Sequence, residues 1–181
     1  MKIVDATNTD RLIIQMAEIF LDGFSDTGSK AWSTAKECLN EVHESLEKGK
    51  ISRIALSKKE EVLGWTVGTS IYDGNVWELA ILVVRRDSRQ KGIGRKLVTD
   101  FEEQVKSRKG ITIFLGTDDE NSRTSLGGID LYPNPLEHLA KIKNLRGHPY
   151  EFYQKLGYSI AGVVPYANGF GNPDIYMSKK I

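Results

Sequence analysis

The sequence predicts a mixed α+β fold, in which a mostly antiparallel sheet with some parallel pairing carries helices on both faces. Three observations lead to this prediction. The 181 residues are 40% hydrophobic and 27% charged, which are ordinary globular values. Segments with strand-like and helix-like apolar periods are mixed along the chain without strict alternation. No repeat, low-complexity tract or Pro/Gly linker divides residues 1–181, so a single domain is expected.

The N-terminal part of the chain predicts one strand followed by two helices. Residues 2–6 are predicted to form a short strand. Residues 8–24 follow as a helix whose apolar residues share one face, with Asp10 as a possible cap. Residues 33–49 are predicted to form a second helix that begins at the N-cap residue Ser33.

The middle of the chain predicts three strands and a helix. Three segments have the alternating or continuously apolar pattern of strands: residues 52–58, 61–72 and 75–84. Asp73 and Gly74 mark a tight turn between the last two strands. Residues 94–110 then form an amphipathic helix.

The C-terminal part predicts three more strands. Residues 111–117 form a buried strand because of their β-branched run. A weaker helix over 134–145 is interpreted as an insertion, and a short helix follows over 148–157. Residues 158–165 and 173–180 are the closing strands, and the last of them is expected to lie at an edge of the sheet.

Charge and cysteine content exclude several classes of function. The formal net charge of +1 gives the chain no general attraction to nucleic acid or to an anionic membrane. Cys38 is the single cysteine, so a disulfide within the chain and a cysteine-rich zinc site are excluded, and burial is expected for it. The three histidines lack metal-ligand spacing, so no metal is expected. No apolar run reaches the roughly 18–20 residues of a membrane span, and no signal-peptide pattern is found, so a cytoplasmic protein is expected.

A basic turn containing two glycines follows the apolar strand. The segment 89–94, Arg-Gln-Lys-Gly-Ile-Gly, joins this strand to the next helix. The first turn of a helix has unpaired N–H groups, and glycine lets a ligand approach the backbone, so the turn suits phosphate oxygens. A Walker A loop is absent, and Leu97 stands where a dinucleotide motif needs its third glycine. A tight turn with a solvated basic rim is the alternative.

This pattern, R-x-x-G-x-G after an apolar strand, resembles the pyrophosphate loop of the GCN5-related N-acetyltransferases, the GNAT family. "EFYQKLGYSIAG" resembles the helix–strand signature of that family. "WELAILVV", "GTDD", "NLRGHPYEFYQKLGY" and the "ANG…PDI.M" tail resemble its aminoglycoside 6′-N-acetyltransferases over the last two-thirds of the chain. The resemblance implies the GNAT fold with a splayed pair of parallel strands, acetyl-CoA as cosubstrate, and a homodimer that acts on a small-molecule amine.

The resemblance also implies which residues bind the coenzyme. They comprise the end of the apolar strand, the basic turn and two residues further along the chain. The set is Leu82, Val83, Val84, Arg89, Gln90, Lys91, Gly92, Ile93, Gly94, Arg95, Asn121 and Tyr153.

Acyl transfer from a thioester to an amine needs a neutral amine, a donor to the developing oxyanion and a proton for the leaving thiolate. By resemblance, the Leu82 N–H faces the thioester carbonyl and Tyr153 donates to the thiolate. Glu78 is expected on the same strand face as Leu82, where it could accept the proton of the amine through water or hold a cationic substrate. Relatives can have a histidine at Ala80 and an acid at Asn121, so both contributions are missing here.

The acceptor site is predicted from acidic and aromatic residues. Asp118 and Asp119 follow a strand and could bind a polycationic substrate, although local turns are an alternative role for either one. Tyr72 resembles a sugar-facing aromatic residue of the family. Phe24 and Asp26 fall where the N-terminal helices would cover the acceptor, and Phe24 could instead be a core residue.

Three functions therefore stay open. The leading one is acetyl transfer to the 6′-amine of an aminoglycoside, with antibiotic resistance or a housekeeping role as the alternatives for its purpose. The second keeps the chemistry and changes the acceptor to a polyamine, a small metabolite or a protein amine. The third is a non-catalytic module that binds coenzyme A. No nucleic acid or membrane partner is expected.

Overall fold

The computed structural model describes residues 1–25 and 31–181, so the prediction for Asp26 lies outside the described residues. Its strands and helices follow one another in the predicted order. They are β1 (Lys2–Asp5), α1 (Asp10–Phe24), α2 (Ala35–Ser45), β2 (Ile51–Leu56), β3 (Val62–Ile71), β4 (Val76–Val84), α3 (Ile93–Ser107), β5 (Thr112–Asp118), α4 (Pro135–Ala140), α5 (Tyr150–Gln154), β6 (Ser159–Val164) and β7 (Asp174–Lys180).

The strands form one seven-stranded sheet in the order β1-β2-β3-β4-β5-β7-β6. Neighbours from β1 to β4 are antiparallel, as are β6 and β7, whereas β4 and β5 are a parallel pair. This mixed, mostly antiparallel sheet confirms the predicted fold class. The expectation that the last strand is an edge is wrong, because β7 lies between β5 and β6. Ile175 and Met177 of β7 are fully buried, whereas β6 carries the exposed Val164.

The chain divides into two compact units. Unit 1 comprises Met1–Ile113 and Ile181, and unit 2 comprises Phe114–Lys180. The assignment of residues 1–181 to a single domain stays a prediction. No helix in the described part of the chain is long and apolar enough to cross a bilayer.

In unit 1, helices cover both faces of the strands. Met16 and Phe20 of α1 are fully buried and belong to a cluster that includes Trp65 of β3 and Ile81 and Val83 of β4. On the other face, residues of α3 pack against Ala55 of β2 and against alternate side chains of β4. The end of β4 is continuously apolar because its two faces meet different helices.

A β-bulge interrupts β4 in the middle of its pairing with β3. Ile81 pairs with Val67 and Leu79 pairs with Gly68, so Ala80 is an extra residue without a partner on β3. A bulge bends the strand and changes which side chains share a face. The alternation of side chains that holds before Ala80 is therefore shifted after it.

The bulge separates two residues that the sequence places on one face. The Arg108 guanidinium, at the end of α3, lies over the Trp77 ring at 5.8 Å from its centroid, so Trp77 faces α3. Glu78 alternates with Trp77 and therefore faces the α1 side, whereas Leu82 packs with the α3 cluster. The prediction that Glu78 and Leu82 share a face is wrong, because a spacing of four residues keeps a face only when no residue is inserted between them.

The helix starts differ slightly from the predicted ones. The N-cap of α2 is Thr34 rather than Ser33: the Glu37 N–H donates to Thr34 Oγ1 at 3.2 Å, and the Thr34 N–H donates to the Glu37 carboxylate at 3.0 Å. Thr34 is preferred because Glu37 stands three residues after it and completes a capping box. Helix α1 begins at Asp10, with Thr9 as N-cap and no side-chain cap hydrogen bond.

In unit 2, the core lies beside β6 and β7. Leu126, Leu131 and Ile175 are buried together. Helix α4 ends at Ala140, well before the predicted end at 145, and the chain continues to an isolated antiparallel bridge between Thr124 and Asn144. The bridge needs an extended chain, which a helix through residue 145 would not provide.

Candidate active site

The last residues of β4 present main-chain groups away from β3. The Arg85 N–H donates to the Leu63 oxygen of β3 at 3.0 Å, so the residues two and four before Arg85 also face β3. Leu82 and Val84 therefore direct their N–H and C=O groups to the opposite side, and the Val84 oxygen accepts from Arg89 Nε at 3.1 Å. These are the main-chain groups that, by the family resemblance, are expected to bind the arm of the coenzyme.

The turn before α3 has the conformation that a phosphate site needs. Gly92 is the N-cap of α3 and has φ +78°, a left-handed value that glycine adopts without strain, and Gln90 also has a positive φ of 61°. The first hydrogen bond of α3 ends on the Gly92 oxygen at 3.1 Å. The N–H groups of Ile93, Gly94 and Arg95 precede that of Lys96 in the chain. They therefore lack an acceptor carbonyl within the helix.

The basic side chains of this region fall into two kinds. Arg85 Nε forms an ion pair with Asp87 at 2.9 Å. Arg89 and Lys91 donate instead to main-chain oxygens, Lys91 Nζ to that of Asp87 at 2.7 Å, and neither forms an ion pair with a carboxylate of the described residues. The positive charge of Arg89 and Lys91 is therefore available to an anion next to the first turn of α3.

Glu78 is a half-buried carboxylate on β4. It pairs with Thr69 in the sheet register, and burial raises the pKa of its carboxyl. Its side chain forms no hydrogen bond or ion pair with any residue in the ranges 1–25 and 31–181. A carboxylate in such surroundings takes up a proton at a higher pH than an exposed glutamate does.

Tyr72 and Phe24 have very different surroundings. Tyr72 is 75% exposed and lies in the turn after β3, where its main-chain oxygen accepts from the Asn75 N–H at 3.1 Å. Phe24 is half-buried and packs edge-to-face on Phe20 at 5.0 Å and on Trp32 at 5.4 Å. Phe24 thus belongs to the aromatic cluster at the end of α1, and a contact with an acceptor stays a prediction for both residues.

The two aspartates at the end of β5 have separate roles. Asp119 is buried and caps a local turn, accepting from the Arg123 N–H at 2.5 Å and from the Thr124 N–H at 2.9 Å. Asp118 is exposed, and its Oδ1 accepts from Asn168 Nδ2 at 2.5 Å. The local-turn role therefore applies to Asp119, and Asp118 remains the candidate for a cationic substrate.

His148 connects the end of β5 to α5. Its Nε2 donates to the Asp118 oxygen at 3.1 Å, and its Nδ1 accepts from the Tyr150 N–H at 3.3 Å. This pattern fixes a neutral tautomer, and burial lowers the pKa of the ring. Sequence reasoning gave His148 no role, because its two partners are main-chain groups that no motif reveals.

Tyr153 lies on α5 in a buried aromatic environment. Its ring is 5.7 Å from that of Tyr158, and burial strongly raises the pKa of its hydroxyl. The hydroxyl makes no hydrogen bond to another described residue. Tyr153 is thus a neutral phenol whose O–H can donate a hydrogen bond to a ligand.

Asp174 is a further carboxylate that the sequence analysis missed. Burial, and then the charge of Asp118, raises the pKa of Asp174 to about 6. Its Oδ1 is buried without a hydrogen-bond partner among the described residues. No local motif indicates this role, because Asp174 approaches the end of β5 through the fold and not along the chain.

Asn121 is exposed, and its main-chain oxygen accepts from Arg146 at 2.8 Å. A contact between Asn121 and the coenzyme stays a prediction.

No group of three or more His, Cys, Asp and Glu side chains in the described ranges is arranged to hold a metal ion. Cys38 is fully buried, as expected, and burial raises the pKa of its thiol.

Comparison with known proteins adds to this geometry. The model of the acetyltransferase (GNAT) family matches residues 13–132. A crystal structure of an aminoglycoside 6′-N-acetyltransferase complexed with coenzyme A is 38% identical, with a TM-score of 0.89, and the match covers 99% of this chain and 97% of the other. The aminoglycoside 6′-N-acetyltransferase from Enterococcus faecium is 38% identical with the same coverage and a TM-score of 0.88.

A third structure, of an aminoglycoside 6′-acetyltransferase type Ii, is 32% identical with a TM-score of 0.72, over 99% of this chain and 97% of the other. Comparison with curated protein sequences gave no match.

Proposed function

Because the chain belongs to the GNAT family of acetyltransferases, we propose that it transfers the acetyl group of acetyl-CoA to the 6′-amine of an aminoglycoside. The observation that carries the choice of acceptor is the 38% identity over 99% of the chain to an aminoglycoside 6′-N-acetyltransferase solved with coenzyme A. The residues of the site are consistent with this reaction.

The turn before α3 suits the diphosphate of the coenzyme. The N–H groups of Ile93, Gly94 and Arg95 lack helical acceptors, and no carboxylate in residues 1–25 or 31–181 forms an ion pair with Arg89 or Lys91. When bound, the coenzyme supplies an acetyl thioester. The main-chain groups of Leu82 and Val84 then orient its arm as a strand binds an extended peptide.

Three residues have roles in the transfer itself. Glu78 accepts the proton of the ammonium group, directly or through one water, because only the neutral amine is a nucleophile. The Leu82 N–H donates to the oxygen that becomes negative as the amine adds to the thioester carbon. Tyr153 donates its proton to the thiolate as the carbon–sulfur bond breaks, and its raised pKa keeps the hydroxyl protonated until that step. The nitrogen loses its second proton as the amide forms, and this proton restores the Tyr153 phenol.

The acceptor is a polycation, which suits the exposed carboxylate of Asp118. Tyr72 offers an exposed ring, and Phe24 lies at the end of α1. Ala80 and Asn121, which stand where relatives can have a histidine and an acid, favour a second candidate: the same chemistry on a polyamine, a small metabolite or a protein amine.

We further propose that the protein acts as a homodimer in the cytoplasm and that its activity contributes to antibiotic resistance. The support for the dimer is the resemblance alone. Light scattering on the purified protein measures the oligomer, and a monomer at the concentration of the assay would contradict the proposal.

The test of the activity is acetyl transfer to kanamycin-like and tobramycin-like acceptors, with thiol release as the measurement. Tyr153→Phe should lower kcat about 10²-fold because the leaving thiolate loses its proton donor. Tyr158→Phe is the matched control, since Tyr158 is a buried neighbour of Tyr153 without an assigned role, and it should keep nearly the wild-type rate.

Other outcomes separate the remaining candidates. Transfer to a polyamine or a peptide amine with no transfer to any aminoglycoside would replace the acceptor and keep the chemistry. Binding of acetyl-CoA without transfer to any amine would support a non-catalytic module, and Tyr153→Phe would then change nothing.

A further inference from the structure

Arg86 joins the turn after β4 to the end of α1. Its Nε forms an ion pair with the Asp22 carboxylate at 2.8 Å. Its Nη2 donates to the Asp22 main-chain oxygen at 2.9 Å and to Ser25 Oγ at 2.6 Å. One guanidinium group thus binds a carboxylate, a main-chain oxygen and a hydroxyl, and the three residues Arg86, Asp22 and Ser25 are here termed the α1 clamp.

The α1 clamp places positive charge where the end of a helix favours it. The last turn of a helix has main-chain oxygens that the helix itself does not use, and it is the negative end of the helix dipole. Helix α1 has no basic residue in its last turn, so Arg86 supplies this charge from a position 64 residues away from Asp22. An arginine suits this place because its donors form a rigid planar fork, which a lysine lacks.

The same end of α1 is packed directly on β4. Gly23 lies against Val83, and a Cβ built on Gly23 would overlap the Val83 side chain. Arg89 Nη2 also donates to the Gly23 oxygen at 3.5 Å, but the proposed function assigns the charge of Arg89 to the diphosphate. When Arg89 turns to the coenzyme, Arg86 still connects α1 with the turn after β4.

The end of α1 lies on the side of β4 from which the amine approaches. Val83 belongs to the cluster that α1 forms with the sheet, and Glu78 faces the α1 side of the same strand. An acceptor that brings its amine to Glu78 therefore lies on the face of the sheet that α1 covers. Phe24 follows Gly23 in the chain and packs against the same cluster, so a shift of the last turn of α1 would move it as well.

We propose that Arg86 is a positioning residue for the acceptor: it holds the last turn of α1 on β4 and so fixes one wall of the space in which the amine meets Glu78. This inference rests on the proposed function, which takes Glu78 as the proton acceptor. Arg86 touches no reacting atom in this role. Its loss should therefore weaken the binding of the acceptor and leave the chemical step of a correctly bound amine unchanged.

The experiment measures steady-state kinetics with an aminoglycoside as acceptor, and the binding of acetyl-CoA by calorimetry. Arg86→Ala should raise the KM of the acceptor about three- to fivefold, as expected when a partly exposed ion-pair network is lost. The kcat and the Kd of acetyl-CoA should stay within about twofold of the wild-type values. Arg86→Lys keeps the charge without the planar fork and should raise the KM less. Arg85→Ala is the matched control, because this adjacent arginine pairs with Asp87 in its own turn at 2.9 Å.

Two further measurements distinguish the α1 clamp from a general loss of stability. Asp22→Ala removes the carboxylate partner and should also raise the KM, and it serves as the test if Arg86→Ala does not fold. The double variant should have a KM no higher than that of Arg86→Ala alone, because both substitutions break the same contact. Amide hydrogen exchange over residues 19–25 should be faster in Arg86→Ala, while exchange over α3 should stay unchanged.

The results separate a failure of this inference from a failure of the proposed function. If Arg86→Ala leaves the KM of the aminoglycoside unchanged, Arg86 does not position the acceptor and the proposed function stands. If the variant weakens acetyl-CoA binding as much as it raises that KM, Arg86 serves the coenzyme and the inference is wrong. If the wild type acetylates only another amine and Arg86→Ala raises the KM of that amine, the proposed acceptor is wrong while the role of Arg86 holds. If the wild type acetylates no amine, both fail.

Discussion

At the scale of single residues, surroundings rather than residue type decide which carboxylates can take part in chemistry. Asp118 and Asp119 are adjacent in sequence, yet Asp119 is used entirely in a local turn while Asp118 faces solvent. Glu78 differs from both, since it is half-buried and has no partner among the described side chains. A partly desolvated, unpaired carboxylate suits a proton acceptor.

Glu78→Gln tests this role. The substitution should lower kcat/KM about 10²–10⁴-fold, since no group then accepts the proton of the amine. It should leave the unfolding free energy unchanged or raise it, because a desolvated charge is replaced by a neutral group. Steady-state kinetics and urea denaturation measure the two effects.

Glu18→Gln, an exposed position on α1, is the control and should alter neither quantity. In the wild type, activity should fall as the pH drops through a value above the ordinary 4.5 of a glutamate, and this limb should vanish in Glu78→Gln. Wild-type kcat/KM in the variant would show that Glu78 is not the proton acceptor.

The residue scale also shows what the sequence could predict. Glu78 was identified because it is the only carboxylate between Asn75 and Val84. Its strand face was predicted wrongly, because the extra residue Ala80 gives no signal in a run of apolar letters. Asp174 and His148 were missed since their partners are distant in sequence or belong to the main chain.

At the scale of elements, the junction between β4 and α3 depends on the backbone of one glycine. Gly92 has φ +78°, and a Cβ built there would meet nothing within 4 Å. The glycine is therefore required for conformation and not for space. The same conformation exposes the first-turn N–H groups of α3 that the proposed function assigns to the diphosphate.

Gly92→Ala should lower the unfolding free energy by about 1–2 kcal/mol, the cost of a left-handed alanine. It should also weaken coenzyme A binding several-fold, as measured by calorimetry. Gly92→Asn should cost less, since asparagine tolerates this region.

Gly162→Ala is the matched control, because that position also has no neighbour within 4 Å and its φ is not in the left-handed range. Equal effects of the alanine at both positions would contradict the conformational argument.

The start of α2 gives a second test at this scale. Thr34→Ala removes the capping-box acceptor of the Glu37 N–H and should cost about 1 kcal/mol of unfolding free energy. Ser33→Ala, at the position that the sequence favoured, should cost clearly less because Ser33 caps no main-chain group of the helix. Urea denaturation of the two variants compares them, and a larger loss for Ser33→Ala would reverse the assignment of the cap.

At the scale of the whole molecule, the buried His148 and the half-buried Asp174 give the free energy of unfolding opposite dependences on pH. Burial lowers the pKa of His148, so the folded protein holds the ring neutral. As the pH falls below about 6.5, the unfolded chain binds a proton that the folded protein does not, and the free energy of unfolding decreases. Asp174 has a pKa of about 6, above the 3.8 of a free aspartate, so its burial costs stability above pH 6 and the cost disappears as the pH falls toward 4.

Asp174→Asn separates the two contributions. At pH 7 the variant should be more stable than the wild type by about 1–2 kcal/mol, a value reduced for the partial exposure of the group. At pH 4 the difference should be close to zero, because the wild-type carboxyl is then protonated. Urea denaturation at both pH values measures it, and a difference that is constant with pH would indicate packing instead of charge.

The sequence by itself determined the class of fold, the order of the elements, the basic turn and the family. These features depend on local periodicity and on short motifs, which are visible in contiguous residues without knowledge of the tertiary structure. The exact ends of helices were predicted less well, because single hydrogen bonds decide which residue caps a helix.

Only the tertiary structure decided which side chains share a face or a neighbour. The bulge at Ala80 moved Glu78 away from the face of Leu82, the sheet order put β7 inside rather than at the edge, and the turn after β4 brought Arg86 to Asp22 at the end of α1. Each of these results follows from pairing and packing between segments that are separate in the chain, and such contacts leave no periodic trace in any one of them.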